Sequence, residues 1–200
     1  MRYGLIGEKL GHSFSKIIHE QLADYTYDLI PLTREELDVF LTEKQFSALN
    51  VTIPYKETVI PYLDEVDAHA KKIGAVNTVV NRNGKLKGYN TDFYGFRYML
   101  QHNGIDVKNK KALVLGKGGA SKAVIAVLEE MGASEILTVY YKDTPATVTY
   151  AACYRDHADA EIIVNTTPVG MYPKADDCPI DLSKFPHLSG VADVVYNPLQ

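Results

Sequence analysis

Two residues in the first half of the chain could exchange a proton with an alcohol or a ketone. Lys56 closes Asn50-Val51-Thr52-Ile53-Pro54-Tyr55-Lys56, and Asp92 closes Gly88-Tyr89-Asn90-Thr91-Asp92; each segment follows a short strand-like run. Burial drives a lysine toward the neutral amine, while a neighbouring carboxylate favours the ammonium. A Lys–Asp pair is therefore suited to general acid/base work. Taken singly, each residue also has a plainer reading: Lys56 as a solvated surface lysine, and Asp92 as a cap for the helix that begins there. A second feature lies further on, where Gly116-Lys117-Gly118-Gly119-Ala120-Ser121 joins an apolar strand to an amphipathic helix. Free N–H groups and the positive end of the helix dipole meet at such a turn and attract a pyrophosphate. Gly116 permits the tight turn, Gly118 lets the backbone approach the phosphates, and Ser121 fills the third small position. The next strand runs into Tyr141-Lys142-Asp143. Lys142 suits the 2′-phosphate of NADP, and Asp143 leaves NAD open.

The elements that must position these groups alternate in type. In the first half, strands are expected at residues 2–6, 27–32 and 48–51, and a helix at 15–24 with Ile17, Ile18 and Leu22 on one face. Thr33-Arg34-Glu35-Glu36 is a capping box that opens a further helix. Short helical stretches are expected at 57–63 and 67–73. Strands at 76–81 and 85–89 flank Asn83-Gly84, a hairpin turn signal. A helix at 92–102 ends on Asn103-Gly104, a left-handed C-cap. In the second half, near-continuous apolar strands at 111–115, 136–140, 162–164 and 191–195 read as strands covered on both faces. Ala120, Val124, Val127, Leu128 and Met131 mark the apolar face of the helix after the glycine turn. The expected fold class is α/β. An N-terminal α/β domain at residues 1–103 precedes a Rossmann-type parallel-sheet dinucleotide-binding domain at 104–200, with the boundary near 101–108. Lys56 and Asp92 fall at strand ends, where ligands of α/β sheets gather.

Composition sets the outer limits. The chain has 200 residues, 46% of them hydrophobic and 23% charged, with a net charge of −4. With no basic run, nucleic acid and anionic membrane surfaces are excluded as main partners. Cys153 and Cys178 lie outside any metal-ligand spacing and read as two free thiols of a reducing compartment, with no metal. No signal pattern opens the chain, and no apolar stretch approaches the roughly 18 residues of a membrane helix. The expected location is the cytoplasm.

Seven motifs stand in order along nearly the whole chain: Gly11-His12-Ser13-Phe14-Ser15, residues 50–56, Gly74-Ala75-Val76-Asn77-Thr78, residues 88–92, residues 116–120, Asn165-Thr166-Thr167-Pro168-Val169-Gly170-Met171, and Asp193-Val194-Val195-Tyr196-Asn197-Pro198. On these residues the chain resembles the shikimate dehydrogenase family. The resemblance implies NADP-dependent, reversible reduction of 3-dehydroshikimate to shikimate in chorismate and aromatic amino acid biosynthesis. It implies Lys56 as acid/base with Asp92 as its partner. Ser13 and Ser15 would bind the substrate carboxylate, Thr52, Asn77 and Asp92 the ring hydroxyls, and Tyr196 would lie beside the substrate. Gly116, Lys117, Gly118, Gly119 and Ala120 would hold the cofactor pyrophosphate, Tyr141 and Lys142 the adenosine phosphate, and Thr166 and Met171 the nicotinamide side. The implied partner is a small molecule, and the implied assembly a monomer or homodimer. Lys16 stands where the family usually has proline, and Lys142 where it usually has arginine, which weakens the preference for NADP because lysine lacks the bidentate fork. The family continues past Gln200 with further helices, so a shortened form is expected. Two alternatives stay open: an NAD-dependent quinate/shikimate dehydrogenase, and a form that binds ligand without turnover.

Overall fold

The structure, a computed structural model, describes residues 2–11 and 13–197. In the first unit, Met1–Thr91, six strands form one sheet: β1 (Tyr3–Gly7), β2 (Tyr27–Pro31), β3 (Ala48–Val51), β4 (Glu65–Val66), β5 (Thr78–Arg82) and β6 (Lys85–Tyr89), in the order β2-β1-β3-β5-β6-β4. β1 is parallel to β2 and β3, β5 is antiparallel to β3 and β6, and β4 is parallel to β6. Only β5 is reversed. The carboxyl ends of β1, β3 and β6 therefore emerge on one rim of the sheet together with the amino end of β5. The β5–β6 hairpin turns on Asn83 (φ 55°) and Gly84 (φ 82°), as the Asn-Gly signal predicts.

Three helices accompany this sheet: α1 (Ser15–Leu22), α2 (Arg34–Glu43) and α3 (Ala68–Ile73). Leu37 and Leu41 of α2 are buried with Ile6, Leu49, Val51, Val79 and Leu86, which makes α2 a principal cover of the core. The predicted capping box opens it. Glu36 N–H donates to Thr33 Oγ1 (3.3 Å), and Thr33 N–H donates to the Glu36 carboxylate (2.8 Å). Thr33→Ala is expected to cost about 1 kcal/mol. In a chain of this size that lowers the midpoint of a thermal melt by about 2–4 °C. Helix α1 forms where expected, two residues shorter, and its apolar face is exposed. Its Ile17, Ile18 and Leu22 are 57%, 51% and 76% exposed. Periodicity identifies residues that share a face, not what that face meets. Residues 57–63 form turns with a single 3-10 turn at Ile60–Tyr62, where Pro61 sits at the start.

The second unit is Asp92–Gln200. Its division from the first falls at the head of α4 (Thr91–His102), whereas the sequence reading puts a boundary at the far end of that helix. Strands β7 (Lys111–Leu115), β8 (Glu135–Val139), β9 (Ile162–Asn165) and β10 (Gly190–Asp193) form an all-parallel sheet in the order β10-β9-β7-β8. The chain leaves β7 for β8 on one side, through α5 (Gly119–Glu130), and returns to β9 on the other side. The topological switch point of this sheet therefore lies between the carboxyl ends of β7 and β9. Leu113, Leu115, Val139 and Ile163 are buried with Cys153 of the helix α6 (Tyr150–Asp156). That helix was not expected; Thr149 caps it by accepting a hydrogen bond from Ala152 N–H (3.3 Å). On α5 the buried set is Ser121, Ala123, Val124, Ala126, Val127 and Leu128. Ala120 and Met131 are only half-buried. Among the described residues, no helix is long and apolar enough to cross a membrane.

Candidate active site

The rim of the first sheet gathers the polar residues expected there. Ser13 lies in the connection after β1, and its Oγ accepts from Ser15 N–H (3.2 Å) at the start of α1. His12 of this signature, and Pro198 of the last motif, lie outside the described residues. Thr52 follows β3 directly, with its N–H on Ile6 O (2.9 Å). Gly7 makes room for it, since a Cβ there would stand 2.6 Å from Thr52 Cγ2 and 2.8 Å from Leu10 Cδ2. The turn carrying Lys56 is held by main chain and by its neighbour. Tyr55 N–H donates to Thr52 O (2.9 Å), the buried Tyr55 hydroxyl donates to Leu32 O (2.6 Å), and Lys56 O accepts from Val76 N–H (2.7 Å). Lys56 is half-buried.

Asn77 stands at the amino end of β5 and ties three strand ends together. Its carbonyl O accepts from Val51 N–H (2.8 Å), and its N–H donates to Tyr89 O (3.0 Å). Its side chain is buried, and Oδ1 accepts from Thr91 N–H (2.8 Å). Asp92, next in sequence, is the second residue of α4 and places a carboxylate in its first turn. Lys56 thus belongs to the first unit and Asp92, by one residue, to the second.

In the second unit the glycine turn sits at the switch point. Gly116 has φ 101°, and a Cβ there would meet Thr166 Oγ1 at 3.0 Å, so both conformation and space require glycine. Thr166 follows β9 and donates from Oγ1 to Leu115 O (2.5 Å), which joins the two loops across the switch point. Gly118 is the N-cap of α5, with no side-chain cap, and a Cβ there would find open space. A concave turn, free helix N–H groups and an open approach fit a dinucleotide pyrophosphate. Lys117 is exposed and Gly119 and Ala120 open the helix; Ser121, 3% exposed, donates to Gly118 O (2.7 Å) and closes the turn from inside.

The remaining predicted residues lie along the same edge. Tyr141 and Lys142 are exposed just after β8, with the lysine ammonium 5.3 Å from the tyrosine ring centroid. A hydrogen bond with Tyr140, and then the Lys142 charge, hold the Tyr141 phenol below its ordinary pKa. Met171 and Tyr196 are both exposed, and Tyr172 N–H donates to Asn197 O (3.0 Å), so their two segments run side by side. Sequence reasoning missed the residue that organises this edge. Asn165 is 4% exposed; its Nδ2 donates to both Asp193 oxygens (3.1 and 3.0 Å), and its Oδ1 accepts from Thr167 N–H (3.0 Å). Its place as the first residue of a polar motif at a strand end was the available signal.

An α/β first unit with a polar sheet rim, followed by a Rossmann-type parallel sheet with a glycine turn at its switch point, is the architecture of a nucleotide-linked enzyme of small polar substrates. Comparison with known proteins narrows this. The family described as "Shikimate dehydrogenase substrate binding domain" matches residues 5–79. A shikimate dehydrogenase (NADP(+)) of Clostridium beijerinckii is 41% identical, with 98% of this chain and 78% of that protein covered. Among solved structures, a chorismate mutase/shikimate 5-dehydrogenase fusion protein from Clostridium acetobutylicum superposes with a TM-score of 0.90 at 36% identity, covering 99% of this chain and 78% of the other. The shikimate 5-dehydrogenase of Thermus thermophilus in complex with NADP(H) and shikimate gives 0.85 at 33% identity, covering 99% and 80%. The chain belongs to the shikimate dehydrogenase family.

Proposed function

We propose that this chain interconverts shikimate and 3-dehydroshikimate with NADP(H). Residues 1–103 act as the substrate-binding catalytic domain, to which α4 contributes Asp92, and residues 104–200 as the nucleotide domain. The observation that carries this reading is the 41% identity, across 98% of the chain, to a relative named for that reaction. NADP+, when bound, supplies the hydride acceptor. Lys56 takes the proton of the reacting hydroxyl in the oxidation direction and returns it to the ketone in the reduction direction. Asp92 orients that lysine and accepts a hydrogen bond from a ring hydroxyl. Ser13 and Ser15 hold the carboxylate, Thr52 and Asn77 the other hydroxyls, and Tyr196 lies beside the ring. The turn from Gly116 through Ala120 cradles the pyrophosphate, Tyr141 and Lys142 meet the adenosine phosphate, and Thr166 and Met171 flank the nicotinamide. A site of paired donors and acceptors rejects an acid lacking a hydroxyl, because its own buried groups would then be left unpaired.

The test compares rates of nucleotide reduction for shikimate and quinate with NADP+ and NAD+, in the wild type and in Lys142→Ala. Shikimate with NADP+ is expected to be fastest. Removing the lysine is expected to raise KM for NADP+ about tenfold, the loss of one charge-assisted contact, with KM for NAD+ unchanged. A faster rate with NAD+ and quinate would replace this reading with a quinate/shikimate dehydrogenase using NAD. Binding of both ligands with no change in NADPH absorbance would make the chain a binding protein.

A further inference from the structure

The reaction as proposed gives Lys16, His19 and Glu20 no part, yet they belong to the helix that begins at Ser15. Among the described residues, no side chain of α1 is buried, and only Ser15, Lys16 and His19 are half-buried. A helix of eight residues does not persist by itself, since isolated helices shorter than about 12–15 residues are marginal in water. Packing of an apolar face normally supplies the rest, and here Ile17, Ile18 and Leu22 are exposed. Polar and stacking contacts to residues 25–27 take its place. Lys16 Nζ donates to Tyr27 O (2.8 Å), and Glu20 Oε1 accepts from Tyr27 N–H (3.1 Å). Lys16 Nζ also donates to that same Glu20 oxygen (2.7 Å). His19 stacks on the Tyr27 ring with centroids 4.1 Å apart, and its Nδ1 is 2.6 Å from the Tyr25 hydroxyl oxygen. Tyr27 opens β2, the end strand of its sheet. Glu20 and Lys16 bond both of its main-chain groups, as a further strand would. Lys16, and then the Tyr27 N–H, hold the Glu20 carboxyl below its ordinary pKa, so the anion is the form that bonds. The helix itself gains little from this pair. Lysine in the first turn opposes the helix dipole, and lysine four residues before glutamate is the poorer order.

We infer that Lys16 and Glu20 form an anchor that grips the backbone of Tyr27 and thereby places Ser13 and Ser15 for the substrate carboxylate. Ser13 Oγ accepts from Ser15 N–H (3.2 Å), which ties both serines to the head of α1, and Lys16 is the next residue. Lys16 and Glu20 are positioning residues; they act through the two serines. Without the anchor α1 is docked only part of the time, and the affinity for a ligand that needs the docked form falls by that fraction. The ion pair alone would not do this, because its side chains are 42% and 37% exposed and an exposed pair contributes little. The two hydrogen bonds to main chain are what the anchor adds. The inference rests on the reading that Ser13 and Ser15 hold a carboxylate, and it adds what holds the serines.

The test follows hydrogen exchange of residues 15–22 by mass spectrometry in the full chain without ligand, beside steady-state kinetics. The variants are Lys16→Met, Glu20→Ala, Lys16→Arg and the charge-reversed pair Lys16→Glu with Glu20→Lys. Lys16→Met and Glu20→Ala are expected to speed exchange in α1 and leave α2 unchanged. They should raise KM for shikimate about three- to tenfold, as a docked fraction of roughly one third to one tenth requires. Because only binding is lost, kcat at saturating shikimate and KM for NADP+ should stay within about twofold, which a general loss of folding would not allow. Lys16→Arg keeps a donor for Tyr27 O and should stay close to wild type. The reversed pair keeps the two charges in the order a helix prefers, but turns a carboxylate toward Tyr27 O and an ammonium toward Tyr27 N–H. It should be as weak as Lys16→Met. A reversed pair that behaves as wild type, or unchanged α1 exchange in Lys16→Met and Glu20→Ala, overturns the anchor. Faster exchange with an unchanged KM for shikimate overturns the placing of the serines. A wild type that ignores shikimate while the exchange rates keep the expected order upholds the anchor and faults the substrate.

Discussion

Lys56→Ala is expected to lower the turnover of shikimate by at least ~10²-fold, the scale of a positioned general acid/base. The affinities for shikimate and NADP+ should stay within a few-fold. The backbone at Lys56 is held by its own carbonyl on Val76 N–H (2.7 Å) and by the neighbouring Tyr55 hydroxyl on Leu32 O (2.6 Å). Truncating the lysine side chain leaves both in place, so the effect should appear in kcat. Two further variants separate proton transfer from mere positive charge. Lys56→Arg keeps the charge, but a guanidinium does not give up its proton in a protein, so this variant should be nearly as slow as alanine. Adding a small primary amine to Lys56→Ala should restore part of the rate in proportion to amine concentration. Stopped assays of NADPH formation with saturating shikimate measure all three. Turnover of Lys56→Ala within a few-fold of wild type would remove the lysine from the chemistry, and a fast Lys56→Arg would reduce it to an electrostatic role.

The parts legible in the sequence were those whose information is local. β7, the glycine turn and α5 are adjacent in the chain. The apolar run from Lys111 to Leu115 and the spacing of Val124, Val127 and Leu128 describe a buried strand and the helix laid on it. The capping box at Thr33 and the Asn83-Gly84 turn are likewise complete within four residues. What was not legible depends on pairing at a distance. No local pattern says that β5 is inserted, reversed, between β3 and β6, yet that insertion brings Asn77 to the same rim as Thr52. Asn50 meets Tyr27 across 23 residues, and Asn165 meets Asp193 across 28. A polar residue opening a motif at a strand end is all that the sequence offers in either case. The exposed Ile17, Ile18 and Leu22 mark the opposite limit: their spacing is real, and this unit's core does not use it.

The glycine turn provides the second large effect, because Gly116 and Gly118 are glycines for different reasons. Gly118→Ala should weaken NADP+ binding by about 100-fold, the loss of one or two charge-assisted hydrogen bonds from backbone N–H to phosphate. Gly118 has φ −93° and ψ −172°, which alanine adopts without strain, and an added Cβ meets nothing within 4 Å. Alanine is a poorer N-cap than glycine. That cost is offset by the roughly 0.4–1 kcal/mol gained when a less flexible residue replaces glycine in a compatible conformation. The fold should therefore melt within about 3 °C of the wild type, since 1 kcal/mol moves a chain of this size by about 2–4 °C. The methyl group matters only to something that must touch this backbone from outside. Gly116→Ala should act through the fold instead: at φ 101°, with Thr166 Oγ1 3.0 Å from the new Cβ, it strains the turn and disturbs the Thr166–Leu115 contact across the switch point. A melt beside a fluorescence titration with NADP+ separates the two. If Gly118→Ala binds the nucleotide as the wild type does, the open space in front of this turn is not where the pyrophosphate lies.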